Sequence, residues 1–378
     1  MHHRKLPQQR LIAMCLHPLP LFATGPQDQL KLPIRLGGEM IAVSRLNVFG
    51  GIMPDLDRHS TSAFTGLSFL WLELTNRCNL QCVHCYAESN PWSGQADSLR
   101  ENDYHKVLED AFAAGCRKVQ FIGGEATLNA ALPALLTHAR QLGYQFIDVY
   151  SNLVRLPLPV LESAEKNRAS FGTSVYSDRF TVHDGITQSK GSHARTLSGI
   201  RKLLSRGIPI RVGFVEMEAN QGHFERTTDL LRSIGITRVA RDIVRPVGRA
   251  AKTSEPPHPG KLCGHCWKGS LCVHPDGTVS PCIMSKAWSV GDVKTASIGD
   301  ILLSDATMRT RQTLHQHAPR TMASSCIPVD GEGDPQQGDG GCAPIDGGAG
   351  GEKGGNQGGN QGGGCFVAMK DEEPETDA

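Results

Sequence analysis

From residue 69 to about 243, short apolar and β-branched runs alternate with stretches in which apolar side chains recur every three or four positions. The first run, Phe69-Leu-Trp-Leu-Glu-Leu-Thr75, is apolar at nearly every position, as a strand covered on both faces must be. The alternation predicts strands over 69–75, 117–122, 145–150, 170–176, 208–215 and 237–243. Between them, Leu99 to Ala114 and Leu128 to Leu142 read as helices. Leu197, Ile200, Leu203 and Leu204 mark another, with Ser192 as its capping candidate and Gly207 as its stop. Six such units predict an α/β fold built on a parallel sheet, open or curled into part of a barrel. Parallel sheets bind ligands beyond the carboxyl ends of their strands. The sequence puts Cys78 after the first strand, Gly123-Gly124-Glu125 after the second, Ser151-Asn152 after the third and Ser174 at the end of the fourth, so all converge on one rim.

After residue 250 the pattern changes. Pro256-Pro-His-Pro259 reads as a linker, and Lys261 to Ile301 as a compact Cys-bearing segment with a turn at Pro275-Asp-Gly277. Glycine makes up almost half of residues 331–365, which predicts a flexible low-complexity tail with the solvated acidic end Asp371 to Asp377. The expected division is a partly disordered extension over 1–66, a core over 67–250, a Cys-rich unit over 251–330 and the tail over 331–378. Leu11 to Leu16 loosely imitates a signal peptide, but His17, Pro18 and Pro20 break it, and no run reaches the length of a membrane span. Met40 and Met53 are alternative starts to Met1.

The 378 residues are 39% apolar and carry a formal net charge of +1. With neither sign dominant, charge gives no case for a nucleic-acid or anionic-membrane partner. Clustered cysteines in such a chain point to metal rather than disulfides, and so to the cytoplasm.

Cys78-Asn-Leu-Gln-Cys82-Val-His-Cys85 is the most specific signal. Three thiolates spaced in this way can wrap one loop around a [4Fe-4S] cube and leave the fourth iron open. The competing reading is a zinc knuckle, which needs a fourth ligand that His84, inside the run, is poorly placed to supply. Gly123 and Gly124 allow close backbone approach to a ligand, while Glu125 suits an ammonium group; alone, this triplet is an ordinary strand-to-helix turn. Cys15 and Cys116 stand apart and read as small packing residues.

The three-Cys loop, with His84 before its third Cys and Gly-Gly-Glu one strand later, resembles the signature of radical S-adenosylmethionine (radical SAM) enzymes over residues 69 to about 250. The resemblance implies a partial (βα)6 TIM-like barrel. It implies a [4Fe-4S] cluster on Cys78, Cys82 and Cys85, beside His84, and S-adenosylmethionine held at its amino group by Gly123, Gly124 and Glu125. Ala126 stands where the family often has Pro. By the same resemblance Ser151, Asn152 and Ser174 meet the cofactor's ribose or carboxylate, and Asn220 and Arg245 lie near adenosine or substrate.

Cys263, Cys266, Cys272 and Cys282, with Gly277 five positions before Cys282, resemble the opening of the family's SPASM or twitch extension, which carries auxiliary [4Fe-4S] clusters. Either Cys263 or Cys266 serves as first ligand, and Ser297-Ile-Gly-Asp-Ile301 resembles the family's short downstream helix. Cys326, Cys342 and Cys365 are candidates for a second auxiliary cluster, although their wide spacing departs from the family pattern. A zinc ribbon is the competing reading. The family mechanism cleaves the cofactor reductively to a 5′-deoxyadenosyl radical that abstracts hydrogen from substrate. Relatives of this type mature ribosomally made peptides by thioether or carbon–carbon crosslinks; the alternative is epimerisation or dehydrogenation of a sugar or antibiotic precursor. Implied partners are a flavodoxin- or ferredoxin-type electron donor and a separate leader-peptide recognition protein. A non-catalytic iron-sulfur or zinc-binding interaction module is a third possibility from another class.

Overall fold

The computed structural model describes residues 66–251 and 257–318, together with the backbone of two short strands, β1 (Ile34–Leu36) and β2 (Glu39–Ile41). These two pair as an antiparallel hairpin within a separate N-terminal unit. Cys15, Cys326, Cys342 and Cys365, and the Gly-rich tail, lie outside the described residues.

The second unit is built on one sheet. Six strands run parallel in chain order: β3 (Phe69–Glu73), β4 (Lys118–Ile122), β5 (Phe146–Tyr150), β6 (Ser170–Ser174), β7 (Ile210–Glu216) and β8 (Val239–Ile243). All six match the expected strands to within a few residues. The crossovers carry α1 (Glu101–Ala113), α2 (Leu132–Leu142), α3 (Leu158–Lys166), α4 (Phe180–Thr187), α5 (Ser192–Ser205) and α6 (Phe224–Ser233). The sheet is open, with β8 at one end of the strand order.

Beyond β3 the sheet does not stop. The strand β9 (Ser270–Val273) joins β3 in parallel, β10 (Thr278–Ser280) pairs antiparallel with β9, and β11 (Gly291–Asp292) pairs antiparallel with β10. The Cys-bearing segment thus continues the same sheet. Two helices follow, α7 (Ile298–Leu303), capped by the Ser297 hydroxyl, and α8 (Asp305–Gln316).

The alternating faces of β3 explain how the two halves meet. Leu70 and Leu72 enter the large core beneath the helices. Phe69 and Trp71 point the other way, into a second cluster with Leu262, Cys263, Cys266, Cys272, Cys282 and Leu314. Glu73 continues that second face. Helix α2 ends on Gly143, whose φ of 98° is the left-handed conformation glycine adopts at no steric cost.

The cap expected at Ser192 falls elsewhere. Gly191 is the N-cap and Ser192 the first helical residue. The Asp184 carboxylate, from the middle of α4, accepts from the backbone N–H groups of Gly191 and His193 and from the Ser192 hydroxyl. An anion at the N-terminus of α5 satisfies donors that the helix itself cannot.

Candidate active site

The loop after β3 carries Cys78, Cys82 and Cys85, and neighbouring elements grip it from both sides. The backbone N–H of Gln81 donates to the Thr187 carbonyl and that of Val83 to the Ile186 carbonyl, at the end of α4. On the other side, the turn after β8 docks on the loop. Arg249 donates from its backbone to the Cys85 carbonyl at 3.0 Å, from Nε to the Cys82 carbonyl at 2.8 Å and from Nη2 to the Ser89 carbonyl at 2.6 Å. Gly248 permits this approach: it sits at φ 58°, and a Cβ there would lie 2.3 Å from the Tyr86 carbonyl oxygen. Neither Gly248 nor Arg249 was among the residues expected from sequence, because their task is to meet backbone 160 or more residues away.

Gly124 shows the same logic. Its N–H donates to the Thr75 carbonyl at 2.7 Å, and a Cβ would fall 2.1 Å from the Arg77 carbonyl oxygen. Glu125 is only 1% exposed. Its Oε1 accepts from the Thr127 N–H and hydroxyl, and its Oε2 from the Asn152 N–H at 2.8 Å. Burial raises its carboxyl above the usual range, against the lowering effect of those hydrogen bonds. The Asn152 amide bridges to the Asn79 side chain at 2.7 Å and to the Cys78 sulfur at 3.7 Å.

One cavity gathers these groups. Cys78, Cys82, His84, Cys85, Gly123, Gly124, Glu125, Ser151, Asn152, Ser174 and Arg245 all line it, as the convergence of strand ends predicts. Ser174 shares a hydrogen bond with the Tyr150 hydroxyl at 2.7 Å, and Arg245 pairs with Asp242 at 3.0 Å. Asn220 is a correction. It does not line the cavity; its amide donates to the Tyr176 and Val215 carbonyls, and it thereby fixes Tyr176, which packs edge-on against His84 with ring centroids 4.9 Å apart. Asn220 thus stands one layer behind the cavity wall.

Without metal the loop keeps its Cys78 and Cys82 thiols protonated. Burial, followed by the nearby Glu125 carboxylate, holds the Cys78 thiol far above its ordinary range, and burial, followed by Cys85, pushes Cys82 up to about 12. Thiols so disfavoured as anions ionise when cationic iron takes the protons' place. The donor set fits a cluster with one open corner: three sulfurs face one cavity, and burial lowers His84 to about 4 with a further push from Arg249, so its ring is neutral at pH 7.

The second cysteine group also assembles in part. Cys266 Sγ lies 2.9 Å from Cys282 Sγ and 3.9 Å from Cys263 Sγ. Both candidates for first ligand therefore join Cys282. Cys272 departs from the expected set, because its position on β9 aims its sulfur at His274 Nδ1, 3.9 Å away, beside the Glu73–His274 pair. Cys116 is fully buried and donates to the Lys118 carbonyl, as a packing residue does.

The sequence model of the radical SAM superfamily matches residues 72–239. That of SPASM, an iron-sulfur cluster-binding domain, matches residues 263–327, and the two together span more than half of the chain. The chain carries a radical SAM domain followed by a SPASM domain. It is 27% identical over 255 residues to the antilisterial bacteriocin subtilosin biosynthesis protein AlbA of Bacillus subtilis, covering 58% of this chain and 56% of that one. It is 28% identical over 169 residues to a probable GTP 3′,8-cyclase of Methanocella arvoryzae, covering 44% of this chain and 53% of the relative. The chain thus spans about half the length of the curated relatives it matches. Streptococcus suis SuiB bound to its precursor peptide SuiA shares the fold at 13% identity with a TM-score of 0.55, covering 71% of this chain and 74% of that one. SuiB bound to S-adenosylmethionine superposes with the same TM-score over 65% of this radical SAM chain and 68% of its own. Among the described residues no helix is long and apolar enough to cross a membrane.

Proposed function

We propose that this chain binds a [4Fe-4S] cluster through Cys78, Cys82 and Cys85, binds S-adenosylmethionine across the adjoining cavity, and modifies a ribosomally made peptide. The observation that carries the reading is the shared cavity wall, on which three sulfurs stand beside the Gly123–Glu125 turn and the strand-end amide of Asn152. When bound, the cluster and its cofactor supply one-electron chemistry that begins with hydrogen abstraction from substrate.

The chain's own groups hold and shield. Gly124 brings backbone to the cavity wall without a side chain in the way, and Glu125 offers a buried carboxylate toward an ammonium group. Asn152 stiffens the start of the Cys loop, while the Arg249 guanidinium fixes its middle. Tyr176, His84 and Ile122 supply apolar cover that excludes water from the reacting centre. Cys263, Cys266 and Cys282 are the proposed ligands of one auxiliary cluster. A peptide substrate is supported by two comparisons that differ in kind, AlbA in bacteriocin biosynthesis and SuiB with its bound precursor peptide. The electron donor is proposed to be a flavodoxin or ferredoxin.

The test is anaerobic reconstitution with iron and sulfide, reduction with dithionite and measurement of 5′-deoxyadenosine after addition of S-adenosylmethionine. The wild-type chain should form it and Cys82→Ala should not. Product formed equally by both would remove the cluster assignment.

A further inference from the structure

Strand β3 carries one acid, Glu73, in an otherwise apolar run, and none of the roles above uses it. It is 2% exposed and belongs to an unbroken line of hydrogen bonds, buried from Glu73 to Ser280 and half-buried at Tyr86. The Tyr86 hydroxyl donates to Glu73 Oε1 at 2.8 Å, and Tyr86 directly follows Cys85. Glu73 Oε2 meets His274 Nδ1 at 2.7 Å. His274 Nε2 meets Ser280 Oγ at 2.8 Å, and Ser280 donates to the Cys282 carbonyl at 2.8 Å. With the Ser280 hydroxyl hydrogen on that carbonyl, Nε2 is the donor toward Ser280. The line begins beside the third cysteine of the radical SAM loop and ends on a cysteine of the auxiliary group.

We propose that Tyr86, Glu73, His274 and Ser280 form a positioning chain that ties the Cys78–Cys85 loop to the Cys282 turn, so that order in either cysteine site depends on the other. The inference deepens the cluster reading above, whereas the hydrogen-bonded line itself is a property of the metal-free chain. Buried polar networks of this kind act as a unit, and cutting one at either end releases the whole. Glu73→Gln preserves it: the new amide oxygen accepts from Tyr86, its nitrogen donates to Nδ1, and Nε2–H still reaches Ser280.

The test uses the full-length chain with Ser280→Ala, Tyr86→Phe, the double variant and Glu73→Gln. In metal-free protein, alkylation of Cys82 and Cys85 is timed by mass spectrometry, with buried Cys116 as the control for global unfolding. Ser280→Ala, remote from the loop, should speed labelling of both cysteines about fivefold. The double variant should label no faster than the faster single, and Glu73→Gln should stay within about twofold of wild type. In reconstituted protein, Ser280→Ala should broaden the electron paramagnetic resonance signal of the cluster on Cys78, Cys82 and Cys85, and Glu73→Gln should not. Loop labelling unchanged in Ser280→Ala, or effects that multiply in the double variant, would overturn the link. A chain that takes up no iron overturns the cluster reading instead and leaves the labelling result standing.

Discussion

At Gly248 a single methyl group meets both a strained backbone and two carbonyl oxygens. Its φ of 58° disfavours any L side chain, and the Cys85 and Tyr86 carbonyl oxygens stand within 2.4 Å of the added Cβ. Gly248→Ala should destabilise the metal-free chain by roughly 2–4 kcal/mol, the range for combined backbone strain and overpacking, read by denaturant unfolding. The same variant should lose iron faster to a chelator, because the Arg249 contacts to Cys82 and Ser89 are displaced with it. Stability within 0.5 kcal/mol of wild type would show that the turn yields without strain. Glu73 teaches a related lesson. Burial alone would raise its carboxyl, but the charge and hydrogen bond of His274, with a further bond from Tyr86, bring it below its ordinary value. An acid inside Phe69-Leu-Trp-Leu-Glu announces a buried partner, yet nothing local says that the partner is His274, 201 residues away.

The junction of α4 and α5 carries one part of the pH dependence, and His84, lowered equally, carries another. His183 lies 1% exposed on α4, accepts the Tyr176 N–H at Nδ1, and is lowered to about 4 by burial and then by His193. In the unfolded chain the same ring takes a proton near 6.5. Below that pH the unfolded state binds more protons than the fold, so stability is full above about 6.5 and is lost as pH falls toward 4. The loss should reach roughly 2–3 kcal/mol, and His183→Phe should flatten this part of the stability profile. An unchanged acid limb would mean that the ring titrates normally. Elements of this kind were readable from periodicity where apolar spacing is regular, as in β3 to β8, α1 and α2. The short helices α3, α4 and α6, of nine, eight and ten residues, escaped notice because two to three turns leave too few repeats to set a helical period apart. Ser192 looked like a cap because it precedes the apolar run, but the capping carboxylate came from Asp184 across a turn.

Across the whole chain, the sheet unites what the sequence presents as two segments. Strand β9 extends the parallel sheet at β3, and the two cysteine groups consequently stand near opposite ends of one hydrogen-bonded line. The cavity-lining residues at the strand ends were legible because a parallel sheet fixes where its loops converge. The partners of Cys272 and Asn220 were not, since a family spacing says which residues recur and not which way a strand turns them. Loss of one site should leave the other chemically distinct. Cys282→Ser, which keeps the backbone carbonyl that Ser280 meets, should remove about four irons per chain while sparing the cluster on Cys78, Cys82 and Cys85, and loss of all iron would contradict two separate sites. The most direct measurement of the account is electron–nuclear double resonance on the reduced, reconstituted chain with S-adenosylmethionine labelled with nitrogen-15 at its amino group. The account predicts a nitrogen coupling to the cluster that disappears in Cys82→Ala. A reduced cluster with no such coupling, or purified protein that holds zinc alone, would contradict it.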